Sequence, residues 1–224
     1  MEENMERINA VTFAPFCARG TFEKEETRQS LKLMKEKTGA NYVIFAPNGV
    51  QKTAFSENID YRTKRNVSDE ELTAMIAYAK QLGLKVALKP TANCEDGTWR
   101  AHINFFDEDV VCEPKWSNWF ASYRAFQEHY ARLAQQCGVD LFIAGCEMVQ
   151  TERREAEWRE VIAAIRRKYD GLVSYNTDKY QEHNVKWWDA WHGDGRNPVK
   201  RGDYEVYGKA AADIIYRKFS QVSE

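Results

Sequence analysis

Glu147 stands where an apolar run ends. The stretch Leu141, Phe142, Ile143, Ala144 has the composition of a buried strand, and Gly145, Cys146 and Glu147 follow at its close. An ionised carboxylate at the edge of a core is costly unless it is paired or hydrogen-bonded, so such a Glu has either a structural partner or a task. Other polar side chains occupy the same kind of position. Asn48 follows the run from Asn41 to Pro47, Lys89 closes the run from Leu84 to Pro90, and Asn176 lies in the run from Gly171 to Tyr180. The segment after Lys89 adds Asn93, Trp99 and Arg100 within a loop long enough to be functional. Polar side chains gathered at the ends of several strands are where the active site of a strand-and-helix fold is built. Plainer roles fit the same residues: Lys89 as an ion-pair partner of Glu147, Arg100 as a solvated loop charge, Trp99 as a loop anchor, Asn176 as a strand-end cap.

Metal and thiol chemistry have less support. His102, His129, His183 and His192 have no HExxH-like spacing and the five cysteines form no CxxC pair, so no metal site and no cofactor are expected. Cys146 beside a carboxylate invites a nucleophile reading, yet no His is placed by sequence to activate it.

These residues need a scaffold of strands and helices. The second strand, Asn41 to Pro47, is followed by a long polar loop and then a helix marked by a Ser68/Glu71 capping box, with Leu72, Met75, Ile76 and Ala79 on its buried stripe and Gly83 closing it. A first strand from Ile8 to Phe16 precedes a helix near Lys24 to Thr38 that carries Leu31, Leu33 and Met34 and stops at Gly39. Trp119, Tyr123, Phe126, Tyr130, Leu133 and Ala134 recur at helical spacing after the third strand, and Trp158, Val161, Ile162 and Ile165 do so after the fourth. Alternating strands and helices build a parallel sheet. A dinucleotide-binding sheet would carry GxGxxG after the first strand, and neither that nor a P-loop is present. Polar residues at the C-terminal ends of several strands fit a (β/α)8 barrel instead.

The totals agree with one domain spanning residues 1–224. The 32 basic and 34 acidic residues nearly cancel, which disfavours nucleic acid as a partner. No window reaches the roughly 18 continuous apolar residues of a membrane span. The charged segment from Met1 to Asn9 lacks a signal-peptide core, and few, scattered cysteines indicate a reducing, cytoplasmic protein. Seven Trp residues, several outside any helical stripe, are available for stacking on sugar rings as well as for filling the core.

Three stretches, 83–105, 116–148 and 155–180, carry a specific resemblance. With their "KP" and "GxE" strand ends they are similar to strands three to five of glycoside hydrolase family 113, β-mannanase-like members of a retaining clan built on (β/α)8 barrels. The resemblance spans Ile8 to Asp189. It implies that Glu147 is the general acid/base, that Lys89 and Arg100 bind sugar hydroxyls or orient carboxylates, and that Trp99 is a stacking platform. Asn93, Asn176 and Trp191 join the substrate-binding set, and the substrate is a β-1,4-linked mannan- or xylan-type oligosaccharide. Cys146 stands where Thr or Asn is more usual, and Thr91 where a His often follows "KP", so the preferred sugar differs from the family norm if these positions tune it.

The residue count departs from the family. Five βα units use the chain to Tyr180, whereas closing eight strands takes three more units of about 30 residues each. The tail resembles the family's last helix, with Ala211, Ile214, Ile215 and Phe219 buried, and residues 187–195 look like a junction that omits strands six and seven. The expected architecture is an incomplete TIM-type barrel of five βα units plus a C-terminal strand and helix. Its nucleophile is not identifiable; Glu182, Asp189 and Asp194 are the acids near the join. A non-catalytic carbohydrate-binding remnant, or an assembly form in which a second copy covers the open edge, is the alternative to an active hydrolase.

Overall fold

The apolar runs pair side by side in the order in which they occur. A computed structural model of the chain describes residues 8–105, 113 and 115–176. Its strands are β1 (Ala10–Phe13), β2 (Tyr42–Phe45), β3 (Asn48–Gln51), β4 (Lys85–Leu88), β5 (Thr91–Cys94), β6 (Leu141–Cys146) and β7 (Leu172–Asn176). Its helices are α1 (Glu25–Thr38), α2 (Asp69–Gln81), α3 (Lys115–Gln136) and α4 (Glu155–Arg166), with one 3₁₀ turn at Arg100–His102. The main sheet runs β1-β2-β4-β6-β7 with every pair parallel. A doubly wound sheet would reverse direction at a switch point; sequential order is that of a barrel wall. The chain has an α/β fold of the TIM-barrel type, and the five strands of the main sheet form part of a barrel. Among the described residues no helix is long and apolar enough to cross a membrane. The junction at residues 187–195 and the tail helix with Ala211, Ile214, Ile215 and Phe219 lie outside the described residues, as does Trp191.

Two prolines correct the expected strand-to-loop boundaries. Pro47 and Pro90 each follow a main-sheet strand and, lacking an N–H, cannot continue its ladder. The chain does not become loop there. Asn48–Gln51 and Thr91–Cys94 pair with each other as a second, two-stranded parallel sheet, in the register Asn48↔Thr91. Thr91 N–H reaches Pro47 O at 3.0 Å across the break. The polar side chains that made these stretches read as loop have partners: Trp119 Nε1 donates to Gln51 Oε1 at 2.9 Å, and Asn93 Nδ2 to Asn48 Oδ1 at 2.7 Å.

The helices follow their periodicity. In α2, Ser68 and Glu71 form the reciprocal capping box, and Leu72, Met75, Ile76 and Ala79 are buried. Glu71 does more than cap: Oε1 accepts from Gly20 N at 2.7 Å and Phe22 N at 3.3 Å, while Oε2 accepts from Ser68 N at 2.9 Å. The carboxylate thereby fastens the β1–α1 loop to the start of α2. In α1, Leu31 and Met34 are buried but Leu33 is 41% exposed. Leu33 lies two residues from Leu31, so helical geometry turns it away from the i, i+3 stripe that meets the sheet. Helix α3 supplies the aromatic core, with Trp116, Trp119, Tyr123 and Phe126 fully buried and Trp119 stacked on Tyr123 at 4.9 Å.

The end of β6 is bulged. Ile143 pairs with Ser174 but Cys146 with Asn176, so β6 spends one more residue than β7 over this interval. Bulges twist a strand and re-aim the side chains beyond it. Tyr123 O–H from α3 donates to Ala144 O at 3.0 Å, so the disrupted ladder leaves that buried carbonyl satisfied. Gly145 makes the bulge possible, since a Cβ there would lie 2.5 Å from Tyr175 Cε2 and 2.9 Å from Trp158 Cη2.

Two substitutions test this scaffold by urea denaturation. Glu71→Ala strands three backbone donors, two of them on the β1–α1 loop, and is expected to cost about 2–4 kcal/mol. Gly145→Ala forces Tyr175 and Trp158 apart and is expected to cost about 1–3 kcal/mol. Unchanged midpoints would remove these contacts from the account of how β6 is held.

Candidate active site

Beyond the bulge, Glu147 adopts φ 54°, the left-handed region that a non-glycine residue rarely takes. Such backbone costs on the order of 1–3 kcal/mol and persists only where its surroundings over-determine it. Here they do. Glu147 N–H donates to Asn176 O at 2.9 Å, and the next N–H, of Met148, donates to the Tyr175 hydroxyl at 3.1 Å. Tyr175 O–H in turn donates to Glu152 Oε1. Burial and the adjacent Glu152 carboxylate push the Tyr175 phenol well above its usual range, so it stays a protonated donor. The backbone around Glu147 is therefore clamped from β7 and from the β6–α4 loop.

The carboxylate is held on one oxygen. Trp99 Nε1 donates to Glu147 Oε2 at 3.1 Å, and Arg100 Nη2 lies 3.5 Å from the same oxygen. Arg100 is 12% exposed and Glu147 31%, so the pair is largely withdrawn from water while the carboxyl keeps an open side. Arg100 is thus not a solvated loop charge. The Trp99–Arg100 corner is itself tied down, since Gln150 N–H in the β6–α4 loop donates to Ala101 O at 3.2 Å. Trp99 meets His102 edge to face at 5.7 Å.

Lys89 reaches the same end of the sheet by another route. Its Nζ donates to Asn176 Oδ1 at 3.3 Å, on the residue whose carbonyl binds Glu147 N–H. The ion pair to Glu147 comes from Arg100 and not from Lys89, which corrects the reading of Lys89 as its salt-bridge partner. The fold brings Glu147, Trp99 and Arg100 into direct contact and sets Lys89 and Asn176 beside them. Asn93 is bonded instead to Asn48, on the β3–β5 sheet. Asn48 is a neighbour that its place after the second strand had signalled.

Cys146 is buried between these cations. Burial raises its thiol above the usual value against the opposing pull of Lys89 and Arg100, so near neutral pH it is a protonated thiol and a poor nucleophile. Among the described residues no group of three His, Cys, Asp or Glu side chains could hold a metal ion.

One residue escaped the sequence reading. Phe16, just past Pro15 at the end of β1, lies with its ring centroid 5.5 Å from the Arg100 guanidinium carbon. The only signal was an aromatic residue directly after a proline at a strand's C-terminal end.

This arrangement can be set beside known proteins. The family model described as Glycoside Hydrolase Family 113 matches residues 11–195. Two solved structures of a GH113 β-1,4-mannanase, one of them a complex, are 54% identical with a TM-score of 0.77, covering 83% of this chain and 60% of their own. The GH113 β-mannanase AaManA from Alicyclobacillus acidocaldarius, in complex with ManMIm, is 41% identical with a TM-score of 0.74, covering 84% of this chain and 59% of its own. No curated protein matches the chain. The chain thus spans about 60% of the length of the mannanases it matches. With most of its length matched by the family model and more than half of its aligned residues identical to those of a family member, the chain belongs to glycoside hydrolase family 113.

Proposed function

We propose that this chain carries the acid/base half of a glycoside hydrolase site for β-1,4-linked mannan-type oligosaccharides. The observation that carries the reading is the Glu147 carboxylate, held on Oε2 by Trp99 and Arg100 at the end of β6 with its remaining side open. In a retaining mechanism Glu147 as general acid gives its proton to the glycosidic oxygen while that bond breaks and a second carboxylate bonds to the anomeric carbon. Glu147 then takes a proton from water as the water displaces the enzyme carboxylate and releases the sugar. Lys89 and Asn176 bind hydroxyls of the sugar beside Glu147, Asn93 binds further along the mouth, and Trp99 offers its ring to a sugar face. Trp191, assigned to the same set, lies outside the described residues. Mannan is favoured over xylan because the neighbours at 54% and 41% identity are named β-mannanases.

The second carboxyl of a retaining pair stands about 5–5.5 Å from the first. Glu182, Asp189 and Asp194 lie outside the described residues, so the proposal assigns no nucleophile. A chain with about 60% of its neighbours' length also supports a second reading, a carbohydrate-binding protein that grips the substrate without cleaving it.

Hydrolysis and binding of manno-oligosaccharides separate the two. The hydrolase reading expects turnover by the purified chain that falls at least 10²-fold, to about 10⁴-fold, in Glu147→Gln while binding, followed by tryptophan fluorescence, persists. Binding without turnover supports the second reading. Turnover unchanged by Glu147→Gln would remove the acid/base role.

A further inference from the structure

The turn after β1 is strained in a way the barrel does not require. Ala14 has φ 40° and Phe16 φ 58°, both left-handed for non-glycine residues. Ala14 also precedes Pro15, and a pre-proline residue is normally driven to extended backbone. The strained turn is pinned to the neighbouring strand by Phe16 N–H donating to Ala46 O at 3.2 Å. Backbone held so far from its preferred regions marks places where a side chain's position matters. Here that side chain is an aromatic ring left 36% exposed.

A single exposed apolar residue is ordinary on a protein surface. Phe16 differs in its surroundings. Its ring packs against the guanidinium of Arg100, which is 12% exposed and ion-paired to Glu147 Oε2 at 3.5 Å. These contacts place the ring at the same C-terminal end of the sheet as the carboxylate, separated from it by a single side chain. The ring is therefore within reach of a substrate that spans more than one sugar unit around Glu147. A pyranose presents a face of C–H groups, apolar and slightly positive, which complements the negative face of an aromatic ring.

We infer that Phe16 is a sugar-stacking residue, binding a pyranose ring of a β-linked oligosaccharide next to the unit whose glycosidic oxygen faces Glu147. The inference deepens the proposed function and rests on it. The strained turn fixes the ring before substrate arrives, so little ordering cost falls on binding. Arg100 couples the platform to the acid, with its guanidinium on the Phe16 ring and on the Glu147 carboxylate together.

Calorimetric titration of mannotetraose into the Glu147→Gln protein, alone and combined with Phe16→Leu or Phe16→Trp, tests this without hydrolysis. Leu keeps apolar bulk against Arg100 but has no π face, and Trp keeps the face. The expected result is affinity weakened about tenfold by Phe16→Leu and retained by Phe16→Trp, with urea midpoints unchanged. Equal affinity in Phe16→Leu and its parent would overturn the stacking role alone and leave the proposed function standing. Absence of binding by the Glu147→Gln parent and by the unsubstituted chain would overturn the carbohydrate site and this inference together. Were the ring only a prop for Arg100, Phe16→Leu would slow turnover of the unsubstituted site with KM unchanged, which also contradicts stacking.

Discussion

The carboxylate oxygen Oε2 of Glu147 is the point on which the mouth of this barrel depends. Trp99 and Arg100 both converge on it. A guanidinium as withdrawn as that of Arg100 needs an anion beside it, and a carboxylate at the end of a buried strand needs donors; each satisfies the cost of the other. The arrangement is mutual in a second sense. Trp99 and Arg100 come from the segment after β5 and Glu147 from the end of β6, so one contact joins two successive units of the fold at their functional ends. Phe16 extends the same chain of contacts back to β1.

The scaffold places this contact by abandoning regular strand geometry where it would point the wrong way. Prolines stop β2 and β4 and let the chain pair again beyond them, and a bulge at Ala144–Gly145 re-aims the end of β6. The strain left at Glu147 is carried by side chains from outside the strand: Tyr123 on the Ala144 carbonyl, and Tyr175 on the Met148 N–H. Tyr123 belongs to the densest part of the aromatic core, between Trp119 and Phe126. Core packing and site geometry are therefore one structure, and the end of the sheet that carries Glu147 is as rigid as α3 makes it.

Much of this was readable from local chemistry. The Ser68–Glu71 box, the α2 stripe, the left-handed Gly39 and the apolar strand of β6 each follow from propensities that act within a few residues. Contacts over long sequence separations were not readable. Glu71 looks like a cap and is also the anchor of a loop 49 to 51 residues away. Asn48–Gln51 and Thr91–Cys94 lack strand-like composition and become strands because they pair with one another. At the site, Glu147, Lys89, Trp99 and Arg100 were found from strand ends and family resemblance. Which of them touch was not legible, because Arg100 rather than Lys89 meets the carboxylate through a loop conformation that no periodicity encodes. Gly145 inside a strand was a visible sign of the bulge. The strained Ala14–Phe16 turn left none.

The proposed chemistry follows from an asymmetry. Holding one oxygen of a carboxyl fixes the direction of the other, and proton delivery depends on that direction once the substrate is in place. The most direct test weakens the hold by removing one of its two donors and leaving Arg100 in place. Trp99→Phe retains an aromatic ring but deletes the N–H that donates to Oε2. Its kcat/KM would be measured across aryl β-mannosides whose leaving groups range from acidic phenols, which depart unaided, to poor ones that need a proton. The account predicts a loss of about 10-fold or more on the poorest leaving groups, shrinking towards none on the most acidic, because only the former draw on the acid. An equal loss across the whole series would contradict it, showing that Trp99 serves only substrate binding or folding and does not position Glu147.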